Sequence, residues 1–202
     1  MENKRNVLYK NKYYEAAIFR EENIKEAALH CCDFTDCEFV NCTFEDCRIN
    51  ECKFTDCKFQ NCTIISLKSK DSELRRAEFF KCNLIGIHWN ELLPTAKISE
   101  PIYRLQDCHL KYNSFFKISL KKFDFSENTI QESVFEECSL MDASFKNCRL
   151  EGTQISGCDI RNADFRDSIG YEIEIVSNKM KGARFSFPEV VNLLNSLEIK
   201  ID

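Results

Sequence analysis

The chain has 202 residues, with 28 Lys+Arg against 33 Asp+Glu and a formal charge of −5. That length fits one domain, or one with a small appendage, and 44% apolar residues with 12% aromatics exclude a disordered chain. No apolar run approaches the roughly 18 residues needed to span a bilayer, and the opening MENKRNVLYKNKYY has no apolar signal core, so neither a membrane span nor secretion through a signal peptide is expected. Only 5 Gly and 3 Pro stand beside 13 Cys and 17 Phe, so the chain must turn by some device other than the usual turn residues.

Residues 1–16, with four basic and two acidic side chains, read as an N-terminal cap or a fraying end. A first block, 17–91, then repeats every five residues: Phe19, Ile24, Leu29, Phe34, Phe39 and onward to Trp89, with Ser69 the exception. A second block, 103–168, runs from Leu105 to Phe165 in the same step, one residue out of phase. Together 27 of these 28 centres are apolar, where composition alone would give about 12. Neither a helical period nor strand alternation produces that step.

Two residues before each centre lies a second, small position. Seven cysteines from Cys32 to Cys62 fill it in succession, and twelve of the thirteen cysteines in the chain occupy it; Cys31 does not. Cysteine is therefore used for its size and apolarity. At Leu67 and Ser69 the large and small roles are exchanged. No two cysteines have the C-x2-C spacing, and His30, His88 and His109 are scattered, so no metal site is expected. Nor is a disulfide framework, given the odd count and the parallel thiol columns.

Two inward positions in every five describe a coil that turns a quarter at each repeat and sets residue n beneath n+20. Stacked coils then pair backbone to backbone at about 4.8 Å, with rings filling the axis in columns. No coil buries its inner face alone, so stability comes from stacking. An interior packed solid leaves no pocket for convergent catalytic groups, and neither catalysis nor a cofactor is expected.

Between the blocks, Pro94 and Pro101 bar a regular ladder, and 92–102 reads as a projecting loop. It is either a tolerated surface insertion or a partner contact, with Leu92, Leu93, Lys97 and Glu100 as the contact candidates. Residues 169–202 read as a hairpin over YEIEIVSNKMKGARF, followed by an amphipathic helix. Ser186 and Glu189 have capping-box spacing, and Val190, Leu193, Leu194 and Leu197 follow at i, i+3, i+4 and i+7. That helix can plug the coil end or join two chains.

The outward positions carry the remaining candidates. Asp36 and Asp56, 20 apart, share a wall, with Asp46 and Glu51 on the next two. They are either solvated faces or an acidic row that fits a site built for a phosphate backbone. The net charges of −4 over 17–91 and −2 over 103–168 disfavour direct nucleic-acid binding.

The segments CEFVN CTFED CRINE CKFTD CKFQN and CRLEG TQISG CDIRN ADFRD resemble the pentapeptide-repeat family over roughly residues 17–168. The resemblance implies an all-β fold, a right-handed quadrilateral parallel β-helix of about seven coils here, with a short C-terminal α-helix. Members of the Qnr type and related self-immunity proteins bind bacterial DNA gyrase or topoisomerase IV and protect it from quinolones or toxins. What this implies here is a cytoplasmic protein with a topoisomerase partner, DNA mimicry by the acidic walls and a homodimer through the C-terminal helix. The Qnr type has two projecting loops, whereas one insertion is visible here, with 66–73 irregular in side-chain size. A scaffold or adaptor with another protein partner is the alternative.

Overall fold

The computed structural model describes residues 7–93 and 100–197. The chain is a right-handed parallel β-solenoid of about nine turns with a short C-terminal helix. It divides into two units, Met1–Cys108 and His109–Asp202.

In the first unit three-residue strands stack in register on four walls. On one, Asp33–Thr35, Lys53–Thr55 and Glu73–Arg75 pair in parallel, so that Phe34, Phe54 and Leu74 form an inward column. Each wall's neighbour is built from the next repeat, as Glu38–Val40 under Lys58–Gln60 and Ala77–Phe80 shows. In the second unit the walls at Leu120/Leu140 and Phe125/Phe145 are tight turns joined by single bridges such as Ser119 to Ser139 and Asp124 to Ser144.

Aromatic stacking follows directly from the period. Phe19, Phe39, Phe59 and Phe79 lie with ring centroids 4.9, 4.8 and 4.9 Å apart and nearly parallel planes. In the second unit Phe125, Phe145 and Phe165 repeat the arrangement at 4.7 Å. Rings also meet edge-on across the axis, as Phe39 and Phe44 do from adjacent walls at 72° and Phe135 and Phe145 from opposite walls at 88°. Both geometries are favourable for aromatic pairs and fill the axis.

The turning device is a left-handed residue two positions after each centre. From Asn11 to Lys81 every fifth residue has φ between 49° and 56° without being glycine. This conformation costs an L-residue on the order of 1 kcal/mol, least for Asn and Asp, which explains their frequency at corners. The stack offsets the cost: the corner amide of Asp36 donates to the carbonyl of Thr55 at 3.0 Å, and that of Asn61 to Phe80 at 2.9 Å. Replacing Asn61 (φ 52°) with valine is expected to cost about 1–2 kcal/mol in a denaturant titration, while Asn61→Gly stays within about 0.5 kcal/mol.

The small inward position does more than save space. The Cys57 thiol donates to the carbonyl of Phe34 at 3.3 Å, and that of Cys62 to Phe39 at 3.3 Å, each tying one rung to the rung below. Thr153 Oγ1 makes the same bond to Ile130 at 2.7 Å, and Asn178 Nδ2 to Ile155 at 2.7 Å. Cysteine, threonine and asparagine at this position thus act as small donors, whereas the alanines there, such as Ala77 and Ala143, only fill space.

Several expectations are corrected. Residues 1–16 are not a separate cap where described: Val7–Lys10 and Tyr13–Glu15 are coil strands, pairing with Ala28–His30 and Asp33–Thr35. Coil also continues past residue 168. Ile169–Ile173 runs parallel to Arg149–Ser156, and Arg184–Phe185 parallel to Asp164–Phe165, so the expected antiparallel hairpin is absent. Phe185 stacks on Phe165 at 5.3 Å, one more ring in the same column. These added rungs raise the count from about seven coils to about nine.

The phase shift between blocks is an insertion of six residues. Leu105 pairs with Phe79, so Ile102–Gln106 belongs to the first unit. The terminal helix, Glu189–Leu197, is 3₁₀ rather than α, with the Val191 amide donating to Pro188 at 3.0 Å. Its capping box does not form. Ser186 Oγ instead accepts from the Asp167 amide at 3.1 Å, and Glu189 Oε1 from the Gly170 amide at 2.7 Å, so both side chains fasten the helix to the coil.

The interior is not wholly solid. An apolar void of about 40 Å³ in the first unit is bounded by Leu67, Leu74, Trp89 and Leu92, among others. Ser69 supplies no bulk to the axis there, because its hydroxyl turns to the carbonyl of Glu91 at 3.1 Å. A void so lined stays dry.

Candidate protein-binding surface

Charge is distributed differently on the flat walls and at the corners of the first unit. Two wall columns alternate in sign: Asp33, Lys53 and Glu73 are successive register partners, as are Glu38, Lys58 and Glu78, whereas Arg48 and Lys68 stack like charge on another wall. Opposite charges directly across a ladder neutralise one another. The left-handed corners stack like charge instead. Asp36 lies under Asp56, Glu26 under Asp46 and Glu51 under Asp71, each pair 20 residues apart. Left-handed backbone selects Asp and Asn, and the n+20 rule then stacks them.

Asp36, Asp46 and Glu51 are exposed, and among the described residues none of the three makes an ion pair. Asp56 differs: Arg76, the next corner up, donates to its Oδ1 at 2.6 Å. Several outward acids of the second unit are paired. Lys111 meets Glu132 at 3.0 Å, Arg161 meets Asp159 at 2.6 Å and Arg166 meets Asp164 at 2.6 Å. Hydrogen bonds from Arg161 and Arg166 hold the Asp159 and Asp164 carboxyls below their usual range.

Beside the Asp36–Asp56–Arg76 corner lies a depression of about 360 Å³, whose rim also includes Lys58, Glu78 and Tyr103. Tyr103 is 56% exposed. The Arg104 guanidinium stands 5.8 Å from the centroids of Tyr103 and Phe80 and 3.9 Å from Glu78. The loop returns to the coil at this edge, where the Arg76 amide donates to the Glu100 carbonyl at 2.8 Å. Asp36, Asp56 and exposed Glu100 thus share one side, while Asp46 and Glu51 lie on other corners.

Leu92 is not a surface contact. It is 2% exposed in the short helix Trp89–Leu92, bordering the axial void, whereas Leu93 is 37% exposed. Lys97 and the loop segment 94–99 lie outside the described residues. Of the terminal-helix candidates, Leu193 is buried against its own chain, Val190 and Leu194 are half-buried, and Leu197 is exposed. Phe187 and Val191 add exposed apolar surface beside it.

Sequence reasoning passed over Tyr103 and Arg76. Tyr103 carried a signal, being a large ring two before Leu105, at a position given mostly to small residues and shared by only one other ring, Phe123. Arg76 carried a weaker one, a cation at a corner 20 residues above an aspartate.

A family model described as the pentapeptide repeat region matches residues 32–95 and 103–185. Among solved structures, full-length QnrB1, described as a plasmid-mediated fluoroquinolone resistance protein, is 19% identical, with a TM-score of 0.56 over 93% of this chain and 100% of that one. A trypsin-treated variant of QnrB1 is 16% identical, with a TM-score of 0.51 over 98% of this chain and 99% of that one. At these identities the likeness is one of fold. No curated protein matches the chain in sequence.

Proposed function

The chain belongs to the pentapeptide-repeat family, and from that premise we propose that it is a cytoplasmic, non-enzymatic binding protein whose partner is DNA gyrase or topoisomerase IV. It protects that enzyme from quinolones or a topoisomerase-directed toxin, in part by presenting carboxylates where the enzyme expects phosphates. The observation that carries the reading is the set of exposed, cation-free corner acids of the first unit, Asp36 and Asp46 foremost. A basic groove shaped for a duplex attracts such a surface, and stacked charges add on-rate as well as register. The fold likeness to a fluoroquinolone resistance protein supports the same partner. The exposed Phe187, Val191 and Leu197 support a homodimer through the C-terminal helix.

The alternating columns Asp33–Lys53–Glu73 and Glu38–Lys58–Glu78 favour a second reading, a scaffold or adaptor for another protein, because they leave those two walls nearly neutral. A supercoiling assay with purified gyrase and a fluoroquinolone separates the two. Addition of the protein is expected to restore supercoiling, and the double variant Asp36→Lys/Asp46→Lys to require about tenfold more protein for the same rescue. If micromolar protein neither rescues nor inhibits gyrase or topoisomerase IV, the scaffold reading stands.

A further inference from the structure

Cys31 breaks the rule that the other cysteines obey. It sits at a left-handed corner (φ 52°) and is half-exposed, while the other twelve thiols are buried at the inward position. His30 precedes it at the end of the strand Ala28–His30, and Glu51 occupies the next corner up. One ligand atom from each of the three, a ring nitrogen, the sulfur and a carboxylate oxygen, lie within 4.8 Å of one another. The Cys31 thiol donates to Glu51 Oε2 at 3.5 Å, so a single proton stands between a soft and a hard ligand.

We propose that His30, Cys31 and Glu51 form a surface Zn²⁺ site with three protein ligands and a fourth position open to water. Thiolate, imidazole and carboxylate are the zinc donors, and the open position suits an ion held at an exposed corner. Backbone hydrogen bonds fix the frame on both sides: the Asn11 amide donates to the His30 carbonyl, and the Cys31 amide to the Asn50 carbonyl, both at 3.0 Å. Side-chain rotation alone then closes the ligands to metal-bonding distance. As the Zn–S bond forms, the Cys31 sulfur releases its proton to solvent, while neutral His30 and ionised Glu51 each supply a lone pair. Motif spacing did not announce this site, because the solenoid brings together residues 20 apart that no zinc-motif spacing links.

The test uses Co²⁺ as a spectroscopic stand-in for zinc, added to the reduced, metal-free full-length protein. One equivalent is expected to produce a thiolate-to-cobalt charge-transfer band, which Zn²⁺ then bleaches by displacement. Cys31→Ser is expected to abolish the band, and His30→Ala or Glu51→Gln to weaken binding about tenfold or more. Independently of any variant, one thiol of the native protein should react quickly with a maleimide, and Zn²⁺ should protect it. Absence of the band, its survival in Cys31→Ser, or failure of Zn²⁺ to protect the fast thiol each overturns the proposal.

Discussion

Above pH 9 the first unit is expected to lose stability, with Cys52 and Cys57 together contributing up to about 3 kcal/mol per pH unit. Burial pushes the Cys52 thiol up to about 11 and the Cys57 thiol up to about 12, from an ordinary value of 9.0. Because the folded pKa lies above the unfolded one, this contribution is fully present below pH 9. It is lost as pH climbs toward 11–12, since the unfolded chain ionises while the folded chain cannot. Each thiol contributes at most about 1.4 kcal/mol per pH unit, reached in the middle of that window, and a domain has only about 5–15 kcal/mol in total. Cys148, also pushed up to about 12 by burial, imposes the same sensitivity on the second unit. Urea midpoints under reducing conditions at pH 8, 9, 10 and about 10.5 read the effect directly. Cys57→Ala should flatten the slope by about one thiol's share, and a midpoint unchanged across that range would sink the claim.

The second large effect is mechanical in origin. Phe59→Ala is expected to destabilise the protein by about 3–5 kcal/mol in a denaturant titration. Phe59 is stacked between Phe39 at 4.8 Å and Phe79 at 4.9 Å and is 4% exposed. It also borders the axial void, so truncation enlarges an existing cavity that the rigid ladders on either side cannot collapse. Phe59→Leu keeps most of the volume and should cost less than about half as much. A loss below about 1 kcal/mol for the alanine variant would contradict a ring column bearing the core's packing.

Much of the fold was legible because the five-residue step is written in two residue classes at once. Phe34, Phe54 and Phe39, Phe59 fall into columns by counting alone, and the structure keeps that register. The terminal coil was harder to see, because Gly170 and the alternation at Tyr171–Ile173 interrupt the step before it resumes near Asn178 and Phe185. Asn178 marks the continuation, since it donates from the inward position just as Thr153 does. Ser186 and Glu189 satisfied a local capping rule but were drawn to Asp167 and Gly170, a tertiary competition that no local rule anticipates. Among the site candidates, Leu92 misled because apolar residues in a polar stretch suit either a contact or a core. Its neighbour Trp89 decides for the core. The outward placement of Asp36, Asp46 and Glu51 was readable, but their freedom from cations was not, since Asp56 of the same type is claimed by Arg76.

The fixed partnership between residues 20 apart makes this fold read its gene in units of five. Losing five residues within a block would carry every later side chain around to the adjoining face while keeping inside and outside intact. Losing one residue would instead turn the apolar set outward, and losing 20 would shorten the ladder and leave every face as it was. Lengthening by tandem duplication is therefore open to such a chain, whereas single-codon slips are tolerated only where the register already shifts, as it does where Phe79 pairs with Leu105, 26 residues on.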